Sequence, residues 1–180
     1  MEKLPFRLTI RRSSGHPLGG LILLLLLGGC GASEPEYTHP AQAKTLLASD
    51  TTKVWKLAHR LNDGTRMNMA GCFLTHRWIF TPKGTMRDNA GEHEDCGETL
   101  HASWKFVKND ADQYFLKLSS DQFPALMNTE GDTKYFQLLA LSDEKLMVRF
   151  RHAQFGGKDR TITDTYVPEN KAVADRDFHW

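Results

Sequence analysis

The chain has 180 residues, with 23 Lys and Arg against 22 Asp and Glu and a formal net charge of +1. That balance, with no basic run interleaved with aromatics after residue 30, excludes an electrostatic nucleic-acid binder. An aromatic content of 10% is enough for a packed core and excludes a globally disordered chain, and the length suits one domain plus a targeting segment.

Residues 1–17 carry Lys3, Arg7, Arg11 and Arg12, and residues 18–29 (LGGLILLLLLGG) are apolar and uncharged. A run of roughly 12 residues is too short for a spanning helix, which takes about 20, and has the length of a secretory h-region. It ends in Leu27-Gly28-Gly29-Cys30, which resembles the bacterial lipobox. The resemblance implies a lipoprotein signal peptide over 1–29, diacylglyceryl transfer to the Cys30 thiol, cleavage before Cys30 and N-acylation of the new terminus. An ordinary signal peptide with an incidental cysteine is the alternative. Gly31 stands where enterobacterial lipoproteins held at the inner membrane carry Asp, so the resemblance implies an outer-membrane destination in a bacterial cell envelope. Arg11-Arg12 is followed by Ser13-Ser14-Gly15, a poor match to twin-arginine export. Residues 30–44 read as a tether from Cys30, flexible over 31–40.

Ala41 to Ser49 has good helix formers, and Leu46-Leu47 can dock on the end of a sheet. From Thr51 onward period two dominates, and it predicts strands over 52–60, 73–80, 84–88, 101–107, 113–119, 133–141, 145–152 and 160–167. Turn residues separate them, among them Asn62-Asp63-Gly64, Thr81-Pro82-Lys83-Gly84 and Ser142-Asp143-Glu144. Many short strands with little helix predict an antiparallel sandwich or barrel, and about eight strands close a small barrel filled by side chains or by one ligand. Parity places Trp55 and Leu57, Trp78 and Phe80, Trp104 and Phe106, Phe136 and Leu138, Val148 and Phe150, and Ile162 and Tyr166 inward. Lys56, Arg77, Lys105, Arg149 and Arg151 then face solvent. Trp55-Lys56-Leu57 and Trp104-Lys105-Phe106 share one form, as equivalent positions on two barrel strands would.

The 73–88 segment reads as a hairpin with Cys72 before it and Cys96 after it. With Cys30 acylated these are the remaining cysteines, and an even count in an oxidising compartment predicts a disulfide. Free thiols, or a zinc site with His93, are the alternatives.

The ordered set Trp55-Lys56-Leu57, Cys72, Trp78-Ile79-Phe80, Lys83-Gly84-Thr85, Cys96, Trp104-Lys105-Phe106, Phe136-Gln137-Leu138 and Leu141-Ser142-Asp143 resembles the bacterial lipocalin-like domains found on lipoproteins, especially in Bacteroidota. The resemblance covers roughly residues 45–168. It implies an all-β, up-and-down eight-stranded barrel with ligand-binding potential, followed by a polar tail over 169–180. Larger lipocalins open with Gly-x-Trp, where this chain has Lys53-Val54-Trp55.

Glu92, His93, Glu94 and Asp95 make the most polar loop, but their spacing matches neither an EF-hand nor a zinc helix. No G-x-S-x-G occurs, no S-x-x-K stands in the folded part, and no carboxylate pair is evident. The expectation is therefore a non-enzyme with no cofactor and no metal. The leading functional reading is a membrane-anchored barrel that binds a small apolar or amphipathic ligand. Its candidate lining is Trp55, Trp78, Trp104, Phe106, Phe136 and Phe150, with Phe123 and Met127 from the long apolar loop 119–132 acting as lid or plug. The alternatives are a protein-binding, inhibitor-like module and a structural envelope component whose barrel is filled by its own side chains.

Overall fold

The computed structural model describes residues 36–153 and 158–179. The expected signal peptide over 1–29 and the expected lipidation site Cys30 lie outside the described residues. Alternating apolar residues build nine strands: β1 (Lys53–Asn62), β2 (Thr65–Arg66), β3 (Arg77–Phe80), β4 (Thr85–Asp88), β5 (His101–Lys108), β6 (Tyr114–Ser119), β7 (Thr133–Leu141), β8 (Leu146–Ala153) and β9 (Asp159–Pro168). Each pairs antiparallel with its neighbour, and β1 pairs with both β3 and β9. The ladder therefore closes into an eight-stranded up-and-down antiparallel barrel, with β2 a short ribbon on the end of β1. Closure removes the exposed sheet edges that invite aggregation. Asp63-Gly64, with φ of 47° and 82°, makes the tight connection to β2, the left-handed pair that two-residue hairpins favour.

One end of the barrel is packed solid. Helix α1 (Ala43–Ala48) lays Leu46 and Leu47 over it, and the Trp55 indole N–H donates to the Leu47 carbonyl at 2.8 Å. The Trp104 indole N–H donates to the carbonyls of Thr81 and Thr85 at 3.2 and 3.1 Å. The repeated Trp-Lys-apolar form thus marks two tryptophans that each bury a ring and bond a backbone carbonyl. Trp55, Leu57, Phe80, Leu116, Leu118, Leu146 and Val148 are fully buried in the core, each apolar side chain worth about 1.5–3 kcal/mol of burial. Tyr37 and His39, in the stretch read as tether, pack on this end too, His39 stacking on Tyr114 at 4.3 Å.

The strand expected over 73–80 is corrected. Cys72–Thr75 form a helical turn, α2, and β3 begins at Arg77. Local bonds replace the ladder there: the Phe73 and Leu74 N–H groups donate to the carbonyls of Ala70 and Gly71, and the Thr75 hydroxyl donates to the Cys72 carbonyl. Period two was met by residue type alone, and the backbone bonds decided otherwise. Cys72 and Cys96 are bonded, with Cα atoms 5.4 Å apart, and they tie α2 to the loop after β4. For a sequence separation of 24, chain-entropy reasoning assigns about 3 kcal/mol to the link.

Beyond Lys56 and Arg77, β1 and β3 part. The C-terminal segment covers the gap. Glu169 pairs with Arg77, Lys56 Nζ donates to the Glu169 carbonyl at 2.7 Å, and Arg176 Nε donates to the Leu57 carbonyl at 2.6 Å. The segment read as a polar tail thus satisfies strand-edge groups that water would otherwise have to solvate. Among the described residues no helix is long and apolar enough to cross a membrane.

Candidate functional site

The end opposite α1 is open. A cavity of about 1010 Å³ enters the barrel there, between β1, β3, β7, β8 and β9, with α2 and helix α3 (Phe123–Met127) at its mouth. Its apolar wall is a run of rings. Trp78 stacks on Tyr166 at 4.5 Å, meets Phe136 edge-on at 5.2 Å, and Phe136 meets Phe150 at 4.8 Å. The run continues downward through Phe80, Trp104 and Phe106 at 5.9, 5.9 and 5.5 Å, but that half is core. The barrel is therefore filled at one end and hollow at the other, with Trp78 at the junction.

Of the residues expected to line a site, Trp78, Phe136, Phe150 and Met127 do so. Trp55, Trp104, Phe106 and Phe123 stand outside the lining. Trp55 and Trp104 are buried at the closed end, Phe106 is partly buried against the core, and Phe123, the first residue of α3, is wholly buried. The 119–132 segment does two things at once. Phe123 plugs the core, while Leu126, Met127 and Asn128 face the mouth.

The lining also holds charge, which the aromatic pattern did not foretell. Arg60 Nε and Nη2 donate to the two carboxylate oxygens of Asp164 at 2.6 and 2.5 Å. The Tyr166 hydroxyl donates to the same carboxylate at 3.3 Å. The ladder explains the meeting: Arg60 is the register partner of Asp164. A bulge between Leu57 and His59 shifts the phase of β1, so that Ala58, one residue after Leu57, is buried as well and Arg60 follows it inward. Burial opposes the Arg60 charge, but the hydrogen bonds and charge of Asp164 outweigh it and hold its pKa above the ordinary value. Burial and the Asp164 carboxylate push the Tyr166 hydroxyl well up.

Lys134, only 8% exposed, precedes Phe136 by one inward step on β7. Its ammonium lies 5.2 Å from the Phe150 ring centre, and burial together with Arg60 lowers its pKa. His152 is held down by burial, Lys134 and Arg60. Burial and then Arg60, Arg77 and Arg176 push His76 down to about 4, so it is neutral at pH 7. Asp88 accepts from the N–H groups of Ala90 and Leu100, both at 3.0 Å, while burial raises its pKa.

Parity could have found several of these. Lys134, His152 and Asp164 continue the inward rows of Phe136, Phe150 and Ile162. Arg60 could not be found that way, because the bulge breaks the row.

Among the described residues, no group of three or more His, Cys, Asp or Glu is placed to hold a metal ion. In the acidic loop, Glu92 pairs with Arg87 at 2.5 Å and His93 with Asn89 at 2.9 Å. A depression of about 650 Å³ on the outer wall is lined by short polar side chains such as Thr81, Thr85, Ser103 and Ser119. The hollow end thus offers an apolar surface for a flat or flexible body and, beside it, a small cluster of basic side chains.

No family model and no curated protein matches the chain. Among solved structures, bovine odorant-binding protein in complex with a selenium-containing odorant is similar at 16% identity, over 76% of this chain and 79% of that chain, with a TM-score of 0.38. The barrel assignment rests on the closed strand ladder and not on that likeness.

Proposed function

We propose that this barrel binds a small amphipathic molecule through its open end. The observation that carries the reading is the cavity itself. At about 1010 Å³ it lies at the upper end of the roughly 300–1,000 Å³ typical of small-molecule sites. Its aromatic wall with a few convergent polar groups is the composition such sites use. The apolar body of the ligand lies against Trp78, Phe136, Phe150 and Tyr166, and its polar part points to the basic side chains near Arg60.

Tryptophan emission tests this. Titrating the purified protein with fatty acids, isoprenoid alcohols or an apolar dye should shift the emission saturably. Trp78 reports the shift, because it faces the cavity whereas Trp55 and Trp104 are core. Trp78→Phe should remove most of the response and Trp104→Phe should keep it. Trp78→Ala should weaken binding by about tenfold or more, since a Trp ring offers about 150–250 Å² of contact. A flat titration across the panel by a folded protein would reject the reading and favour a protein-binding or structural role.

The same proposal places the barrel at a membrane of the bacterial envelope, anchored through Cys30. Leu27-Gly28-Gly29-Cys30 after an uncharged apolar run supports this, and Gly31 supports the outer membrane. Several acyl chains, each buried methylene adding about 0.8 kcal/mol, would make the attachment stable. Labelled palmitate should enter the wild-type chain and not Cys30→Ser. Equal labelling of both would remove the anchor and leave the binding proposal untouched.

A further inference from the structure

The charges that line the cavity, Arg60 and Lys134 against Asp164 and Asp88, are equal in number but not paired in place. Two carboxylates, Asp164 and Asp88, line it, and both are already engaged. Asp164 is held by both arms of Arg60 and by the Tyr166 hydroxyl. Asp88 accepts through its Oδ1 from the backbone N–H groups of Ala90 and Leu100. Lys134, a residue only 8% exposed, lines the cavity, and its ammonium has no hydrogen bond or ion pair among the described residues. Its one contact of note is the face of Phe150, at 5.2 Å. Most of this side chain is out of water, yet its ammonium meets no protein acceptor, and only what enters the cavity can supply one. His152, on the neighbouring strand β8, also lines the cavity, and its protonated form is disfavoured by burial and then by the positive charge of Lys134 and Arg60. The open half of the barrel is thus an apolar sleeve with one unanswered positive charge.

We propose that the ligand is an amphiphilic anion whose carboxylate or equivalent head group pairs with Lys134 while its apolar body lies along Phe150, Phe136 and Trp78. The inference rests on the binding function proposed above and adds the charge class of the ligand. The head group supplies the partner that Lys134 lacks, and it does so beside Phe150, where the chain of the ligand begins its contact with the rings. The Arg60 charge is already answered: its Nε and Nη2 are committed to the Asp164 carboxylate, and the pair fixes the wall behind the site. An anion binds where a charged group waits without a partner, and a hydrogen bond to a charged group discriminates by about tenfold to a hundredfold in affinity. A cationic amphiphile meets repulsion at the same point.

Three probes of one chain length separate the terms: dodecanoate, dodecanol and dodecylamine, each titrated at pH 7 against the purified protein by displacement of an apolar dye. The wild type should prefer dodecanoate over dodecanol by about tenfold or more, with dodecylamine weakest. Lys134→Met should bring dodecanoate and dodecanol within about twofold of each other while dodecanol binding persists, and Lys134→Arg should keep the preference for the acid. Equal binding of acid and alcohol by the wild type would overturn the anion assignment and leave the binding function standing. A preference that survives in a folded Lys134→Met protein would overturn it as well. Failure of all three probes to bind would sink the binding function itself, and the anion assignment with it.

Discussion

Replacing Asp164 by Leu should lower the unfolding free energy by about 3–5 kcal/mol, and replacing Arg60 by Met should cost a similar amount. The Asp164 side chain is fully buried and that of Arg60 is 18% exposed, so whichever partner remains is a charge held away from water. Asp164 without Arg60 keeps one hydroxyl donor, from Tyr166, which does not offset the loss. The double variant Arg60→Met/Asp164→Leu should recover most of the loss and come within about 1–2 kcal/mol of the wild type, because apolar side chains of similar volume remove both desolvation costs together. Urea unfolding of the four proteins measures the coupling. Single losses below about 1 kcal/mol that simply add in the double variant would mean that the pair is solvated and is not a joint between β1 and β9.

At the other end of the barrel, Trp55→Ala should cost about 3–5 kcal/mol, the range for truncating a buried Trp. Trp55 is wholly buried, its ring carries the Lys53 ammonium 4.3 Å from its centre, and its indole N–H answers the Leu47 carbonyl of α1. Trp55→Phe keeps a ring and loses that bond, so its cost should be about 1–3 kcal/mol, the penalty for leaving a buried acceptor unpaired. Trp55 does not line the cavity at the open end. Trp55→Phe should therefore leave ligand affinity within about twofold of the wild type, whereas Trp78→Ala should not. Urea midpoints and the emission titration on the same samples check both halves. A large loss of affinity in Trp55→Phe, with the fold intact, would show that the closed end shapes the cavity.

Much of the barrel was legible because strand alternation is local. The span 133–141 coincides with β7, and the strands around it agree to within a residue or two. The cysteine pair was legible from counting, since a disulfide needs little more than two cysteines and a compartment that oxidises them. The 72–75 turn was not legible. Cys72-Phe73-Leu74-Thr75 satisfies a period-two reading, and only the bonds from Phe73 and Leu74 back to Ala70 and Gly71 make it helical. The aromatic list was half informative for the site. Parity says that a ring points inward, but not whether the space beyond it is empty.

The sequence by itself determined which side chains alternate inward on each strand, and so the all-β class and the composition of the interior, because a pleated strand sends neighbours to opposite faces whatever surrounds it. Tertiary structure decided where the interior is hollow and what its charges do. Arg60 and Asp164 are 104 residues apart and meet only because the first long strand closes on the last, after a bulge has turned Arg60 inward. Lys134 reads from the sequence as one more strand lysine. It becomes an unanswered charge only when β7, β8 and α3 enclose it, because the solvation of a side chain belongs to the whole barrel and not to the strand that carries it.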